Sequence, residues 1–226
     1  MQQNKSLLPV SIIIAGLLIA GALYFGGNKN APVAGPEEVK KPVLAEVTAK
    51  DHILGNASAP IKLVEYSDPQ CHFCKAFHPT MKKIMSEYGA GGKVAWVYRH
   101  LAILGPESVK EASATECAAD MGGNEKFWQY LDALFDSKEE NGRLLASKTL
   151  SGIAQEVGLD VTKFNECLDN NDHAQIIATM RDSAIAAGAQ GTPYTVLLDS
   201  KGKLNIINGA QSYENVKAAI EQALAN

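Results

Sequence analysis

Two cysteines three positions apart, in Cys71-His72-Phe73-Cys74, are the residues of this sequence best suited to chemistry. They follow an apolar run, Ile61 to Ser67, through the turn Asp68-Pro69-Gln70. They open a stretch in which Phe77, Met81, Ile84, Met85 and Tyr88 recur at helical spacing. Cys71 is therefore expected at a helix N-terminus, where unpaired backbone N–H groups and the positive end of the helix dipole favour thiolate over thiol. Cys74, one turn later, shares that face of the helix and can attack a mixed disulfide on Cys71 to release the partner. That chemistry is dithiol–disulfide exchange. Cys71, Cys74 and His78 also have a spacing that could begin a zinc site, but no second close pair of cysteines or histidines completes a tetrahedron. Lys75 stands where c-type haem attachment needs histidine, and a purely structural bridge closing so short a loop would stabilise little.

The elements that must position this pair are legible in outline. The chain has 226 residues, 46% of them hydrophobic and 20% charged, which suits a globular protein with a sizeable core. Its 21 Lys and Arg against 25 Asp and Glu give a net charge of −4, with no long basic run, so nucleic acid is not an expected partner. Short β-rich runs lie at Ile61 to Ser67, Val94 to Leu101, Tyr194 to Asp199 and Leu204 to Asn208. Helices are predicted at about 107–121, 125–136, 147–157, 161–169, 173–187 and 213–224. Strands split by a long helical middle imply an α/β fold.

Residues 6–28 carry no charge and are mostly Leu, Ile, Ala, Val and Gly, long enough to cross a bilayer. Ala20-Gly21-Ala22 has the form of a signal-peptidase site, so residues 1–28 are read as a membrane anchor or a signal segment. The anchor is preferred, because apolar character continues through Leu23, Tyr24 and Phe25. Either way the remainder is exported, to the periplasm or the outer face of the cytoplasmic membrane. Residues 29–50, with Pro32, Gly35, Pro36 and Pro42, read as a flexible linker, and the folded part is expected to begin near Asp51.

The run Val64-Glu65-Tyr66-Ser67-Asp68-Pro69-Gln70-Cys71-His72-Phe73-Cys74, with Tyr98-Arg99-His100, Phe127-Trp128, Leu134-Phe135 and Gly191-Thr192-Pro193, resembles the DsbA-like thiol-disulfide oxidoreductases of the thioredoxin superfamily. The resemblance covers about residues 50–226. It implies a thioredoxin-like fold with an inserted all-helical domain, divided here as 51–102, 103–188 and 189–226. It also implies a nucleophilic Cys71, a resolving Cys74 and a cis-Pro193 loop whose Thr192 backbone pairs with an extended substrate. The implied function is disulfide formation in exported proteins, with disulfide isomerase or reductant as alternatives on the same fold. A membrane quinone-linked thiol oxidase would be the redox partner, and no metal or other cofactor is required. A soft-metal-binding protein using Cys71, Cys74 and His78 is the alternative of another class. His72-Phe73 departs from the Pro-His or Pro-Phe frequent in related oxidases, so their redox poise does not carry over.

Both faces of the Ile61–Ser67 run are largely apolar, which makes the strand central and leaves Glu65 either partly buried or reaching solvent at the sheet end. If buried, it would have a raised pKa and could take the proton of Cys74, as the matching acid of the family is thought to do. His72 has two open readings, support of the Cys71 thiolate and part of an exposed docking surface. His52, His78, His100 and His173 show no partner in sequence, and the last three are expected at the surface or at helix caps. Cys117 and Cys167, an even leftover pair in an exported chain, are expected to form a structural disulfide.

Overall fold

The computed structural model describes residues 42–170 and 173–225. The anchor or signal segment and most of the linker lie outside the described residues; among those described, no helix is long and apolar enough to cross a membrane.

Among the described residues five strands form one sheet: β1 (His52–Gly55), β2 (Ile61–Ser67), β3 (Val94–His100), β4 (Tyr194–Leu198) and β5 (Leu204–Asn208), in the order β1-β3-β2-β4-β5. β2 and β3 run parallel, and the other pairs are antiparallel. The parallel pair needs a crossover, which is α1 (His72–Ile84) continued by a π-helical turn over Met85–Gly89. Cys74, Phe77, His78, Met81 and Ile84 form the buried stripe of α1, and full burial of an apolar side chain of this size is worth roughly 1.5–3 kcal/mol.

Alternation along the strands divides the core. Ile61, Leu63, Trp96, Tyr98 and Leu197 face α1 and the closing helix Tyr213–Leu224. Val64, Tyr66, Val97, Tyr194 and Val196 face Ala184 and Ala187, near the end of the helix that precedes β4. Between β3 and β4 stand α2 (Pro106–Asp136), α3 (Leu150–Glu156), α4 (Val161–Asn170) and α5 (Ala174–Ala186), and α6 (Tyr213–Leu224) ends the described chain.

α2 breaks at Gly122 and Gly123, the latter at φ +68°, so its halves match the two separate helices read from sequence. Its second half is two-sided. Phe127, Trp128, Leu131 and Phe135 pack on the core beneath the sheet, whereas Tyr130 and Leu134 join Ile153, Ala154 and Phe164 of the insertion.

Two expectations are corrected. The linker does not run free to residue 50: Leu44 and Val47 pack against the sheet, and the Val43 N–H donates to the Ala186 carbonyl at 3.0 Å. Buried Arg99 donates to the carbonyls of Ala45 and Glu46 at 3.1 and 2.9 Å and to Asp51 at 2.7 Å. Val43-Leu44-Ala45-Glu46-Val47 is too short to show periodicity and follows a proline-marked, charged stretch, and its partners lie far along the chain. The second correction is β1, a four-residue edge strand too short to show alternation.

Candidate active site

β2 delivers two polar side chains into an apolar layer. Glu65 and Ser67 alternate with Ile61 and Leu63, and the register sets Glu65 beside Tyr98 on β3 and Thr195 on β4. Glu65 is 2% exposed. Glu65 Oε2, Ser67 Oγ, Trp96 Nε1, Tyr98 OH and Thr195 Oγ1 are all buried without a direct hydrogen-bond partner among the described residues, a polar seam in an otherwise apolar core. Burial pushes the Glu65 carboxyl up to about 7; Ser67 and Trp96 are near enough to temper that rise.

The cysteines stand above this seam. Cys71 is the N-cap of α1, with extended backbone (φ −75°, ψ 121°) and no side-chain capping bond, and its carbonyl accepts the Lys75 N–H at 3.0 Å. Its sulfur lies 3.4 Å from the Thr192 carbonyl oxygen, to which the thiol donates. The Thr192–Pro193 peptide is cis. Cys74 is fully buried and its sulfur accepts the Asp68 N–H at 3.5 Å. The two thiols are opposed electrostatically. A hydrogen bond from Cys74 does most to pull Cys71 down to about 5; burial resists, and the Thr192 side chain and the N–H groups of Cys74 and Phe73 assist. Burial pushes Cys74 well above the ordinary thiol range, reinforced by the Cys71 thiolate and Glu65. One sulfur, only 6% exposed, is thus a nucleophile favoured as thiolate, and the other is a buried proton holder.

His72 and Phe73 are exposed, with ring centroids 3.9 Å apart. The strongest influences favouring the Cys71 thiolate come from Cys74, Thr192 and Phe73.

Sequence reasoning missed Asp68, which orders the turn ahead of Cys71. This buried carboxylate accepts the N–H groups of Gln70 (2.8 Å), Ile103 (2.8 Å) and Leu104 (3.1 Å) and the Ser108 hydroxyl (2.6 Å). The signal available was its place before Pro69, where Asp readily bonds backbone two residues on.

Two of the histidines are corrected as well. His78 and His100 are buried, because carboxylates reach them from α2: His78 Nε2 lies 2.7 Å from Asp132, and His100 Nε2 2.9 Å from Glu116. His52 shares Glu116 at 3.0 Å. Burial alone would raise the Glu116 carboxyl, yet hydrogen bonds from His100 and His52 hold it well below the usual range. His173 occupies the N-cap position of α5, half-buried, 3.0 Å from Asp120. With His78 committed to Asp132 and packed against Trp96 and Phe135, the soft-metal reading loses its third ligand.

In the insertion, Cys117 on α2 and Cys167 on α4 are joined by a disulfide, 50 residues apart in sequence. Their bridge ties the first half of α2 to the cluster around Phe164.

Three comparisons place this arrangement. A family model described as Thioredoxin matches residues 47–222. Over 230 residues the chain is 25% identical to the probable disulfide bond formation protein D of Bacillus anthracis, covering 99% of each. DsbA2 of Pseudomonas aeruginosa superposes with a TM-score of 0.65 at 27% identity, over 78% of this chain and 96% of that one. The sodium/proton antiporter NhaA 3 of Salinispora tropica is 30% identical over 78% of this chain, which spans only 25% of that protein's length. With its cysteine pair opening α1 and a helical insertion between β3 and β4, the chain belongs to the thioredoxin family, in its DsbA-like branch.

Proposed function

We propose that the protein is an extracytoplasmic thiol-disulfide oxidoreductase that forms disulfides in exported proteins. In the oxidised enzyme a client thiolate attacks Cys71 Sγ. The Cys71–Cys74 bond breaks, a client–Cys71 disulfide forms, and Cys74 leaves as a thiolate that takes a proton from Glu65. A second client thiolate attacks the client sulfur and expels Cys71 as a thiolate. The client loses two electrons and the enzyme gains them. A membrane quinone-linked thiol oxidase then withdraws them, returning the Cys71–Cys74 bond. Thr192 and Pro193 offer a backbone edge on which an extended client lies while its sulfur meets Cys71. The apolar segment 1–28 holds the enzyme at the membrane face.

The observation that carries this reading is the opposition of the two thiols. A stabilised Cys71 thiolate favours the reduced enzyme, which makes its disulfide a stronger oxidant. The exported part, residues 29–226, should catalyse dithiothreitol reduction of a model protein disulfide. Its glutathione equilibrium should give a potential above the roughly −270 mV of thioredoxin. Cys71→Ser should abolish turnover, and Cys74→Ser should accumulate mixed disulfides through Cys71. A potential at or below thioredoxin's would replace oxidase by reductant, and undiminished turnover by Cys71→Ser would remove the assignment. Retention of the full chain in membranes after a carbonate wash, with its native N-terminus, tests the anchor.

A further inference from the structure

The turn carrying Cys71 is held not only by its own sheet but by a loop of the helical insertion. After α2, the segment Lys138–Leu144 folds back on itself: a bridge pairs Lys138 with Leu144, the Glu139 N–H donates to Arg143 O at 2.8 Å, and the Gly142 N–H donates to Glu139 O at 3.0 Å. Gly142 closes this loop at φ +86°, where a side chain is strained. Space forbids a side chain too. A β-carbon at 142 would stand 2.1 Å from the Gln70 carbonyl oxygen and 3.0 Å from both the Gln70 carbonyl carbon and the His72 nitrogen. These groups flank Cys71 on either side.

The loop is itself braced. The Gly142 carbonyl accepts the Lys138 ammonium at 2.9 Å, and that buried ammonium pairs with buried Glu111 on α2 at 2.7 Å. From the other side, Lys75, next after Cys74, donates its ammonium to the Lys138 carbonyl. The insertion therefore touches the active-site segment before Cys71, after Cys71 and after Cys74. A glycine in left-handed backbone, pressed on a catalytic turn and anchored from behind by a buried ion pair, has no room to let that turn relax.

We propose that Gly142 is a positioning residue for the nucleophile. Its bare backbone fixes the turn Gln70–His72, and so the direction in which the Cys71 sulfur leaves the N-terminus of α1. The effect of a helix terminus on charge fades within the first turn, so a small swing of that turn takes the sulfur out of reach of the N–H groups that favour its thiolate. The inference rests on the thiol-exchange reading and adds a residue outside the thioredoxin part that sets its quality.

The test compares thiolate absorbance titrations at 240 nm of the reduced exported part in wild type, Gly142→Ala and Gly202→Ala. Gly202 is the control: at φ +78° it bears the same kind of backbone strain, but a β-carbon there meets nothing within 4 Å. Gly142→Ala is expected to raise the Cys71 titration by about one unit, roughly a tenfold loss of thiolate at a given acidic pH, while Gly202→Ala follows wild type. Circular dichroism and an intact Cys117–Cys167 bridge establish the fold. If Gly142→Ala does not fold, the double variant Glu111→Leu, Lys138→Met decides. It releases Gly142 from behind without leaving a buried charge unpaired, and a smaller rise in the same direction is expected. A folded Gly142→Ala that titrates like wild type overturns the proposal, as does an unmoved titration in the double variant when that one decides. A wild-type titration near the ordinary 9.0 overturns the thiol-exchange reading itself, an outcome seen before any variant is made.

Discussion

Glu65 is the residue at which burial and chemistry oppose each other. Its folded pKa of about 7 exceeds the ordinary 4.5 because burial disfavours the charged form. A group raised in this way gives its full contribution to stability below pH 4.5 and loses it as pH rises through 7. Glu65→Gln keeps the shape and removes the titration. Urea unfolding of the dithiol form should find the variant about 2–3 kcal/mol more stable than wild type at pH 8, with the two alike at pH 4. Equal stabilities at pH 8 would place the carboxylate in a solvated position. The same substitution removes the proton source for Cys74, so opening of the enzyme disulfide by a client thiol should slow on the order of 10²-fold at neutral pH, read by stopped-flow mixing. Stability and rate should thus move in opposite directions from one atom exchange.

At the scale of elements, α2 joins the two parts of the molecule. Its second half is shared between the core under the sheet and the core of the insertion, while Cys117 in its first half is bridged to α4. Cys117 is fully buried and Cys167 only half-buried. A thiolate reaching Cys167 would have to expel Cys117 into apolar surroundings that disfavour its charge. Dithiothreitol that reduces Cys71–Cys74 should therefore leave Cys117–Cys167 intact, as peptide mapping would show. Replacing both cysteines by Ser should cost about 4 kcal/mol in the chain-entropy model, with hydrogen exchange rising first in α3 and α4. If α1 and β2 lost protection equally early, the bridge would be supporting the whole fold rather than the insertion. The main elements were legible because each carries a periodic apolar face, and Gly122-Gly123 marked the break in α2. β1 was not, since four edge residues leave no pattern, and residues 43–47 were not, since what orders them is Arg99 far along the chain.

At the scale of the whole molecule, the sequence disclosed the reactive pair and, through the family resemblance, Glu65 and the Thr192–cis-Pro193 loop beside it, but not the groups that brace them. Cys71 and Cys74 announce themselves by spacing, whereas Asp68, Glu116, Asp132 and Gly142 act on partners brought to them only by folding. The state of the pair should nevertheless be readable in global stability. Cys71 has a folded pKa of about 5 against an ordinary 9.0. A group depressed in this way contributes stability that is full above 9 and lost as pH falls through 5. Only the dithiol form has this group, because in the disulfide form Cys71 does not titrate. Cys74 is shifted the opposite way, well above 9, so it stays protonated across the window and adds no slope between pH 5 and 8. Glu65 and the histidines are present in both forms, and their terms cancel to first order. The stability of the reduced protein minus that of the oxidised protein should therefore climb with pH from 5 to 8. Its slope has a ceiling of about 1.4 kcal/mol per pH unit, lowered to the extent that nearby solvent screens the thiolate. Paired denaturant titrations of the two forms across this range measure it directly. A difference that stays flat would mean that Cys71 titrates alike in folded and unfolded chains, leaving the reduced state no thiolate advantage and the disulfide no reason to act as an oxidant.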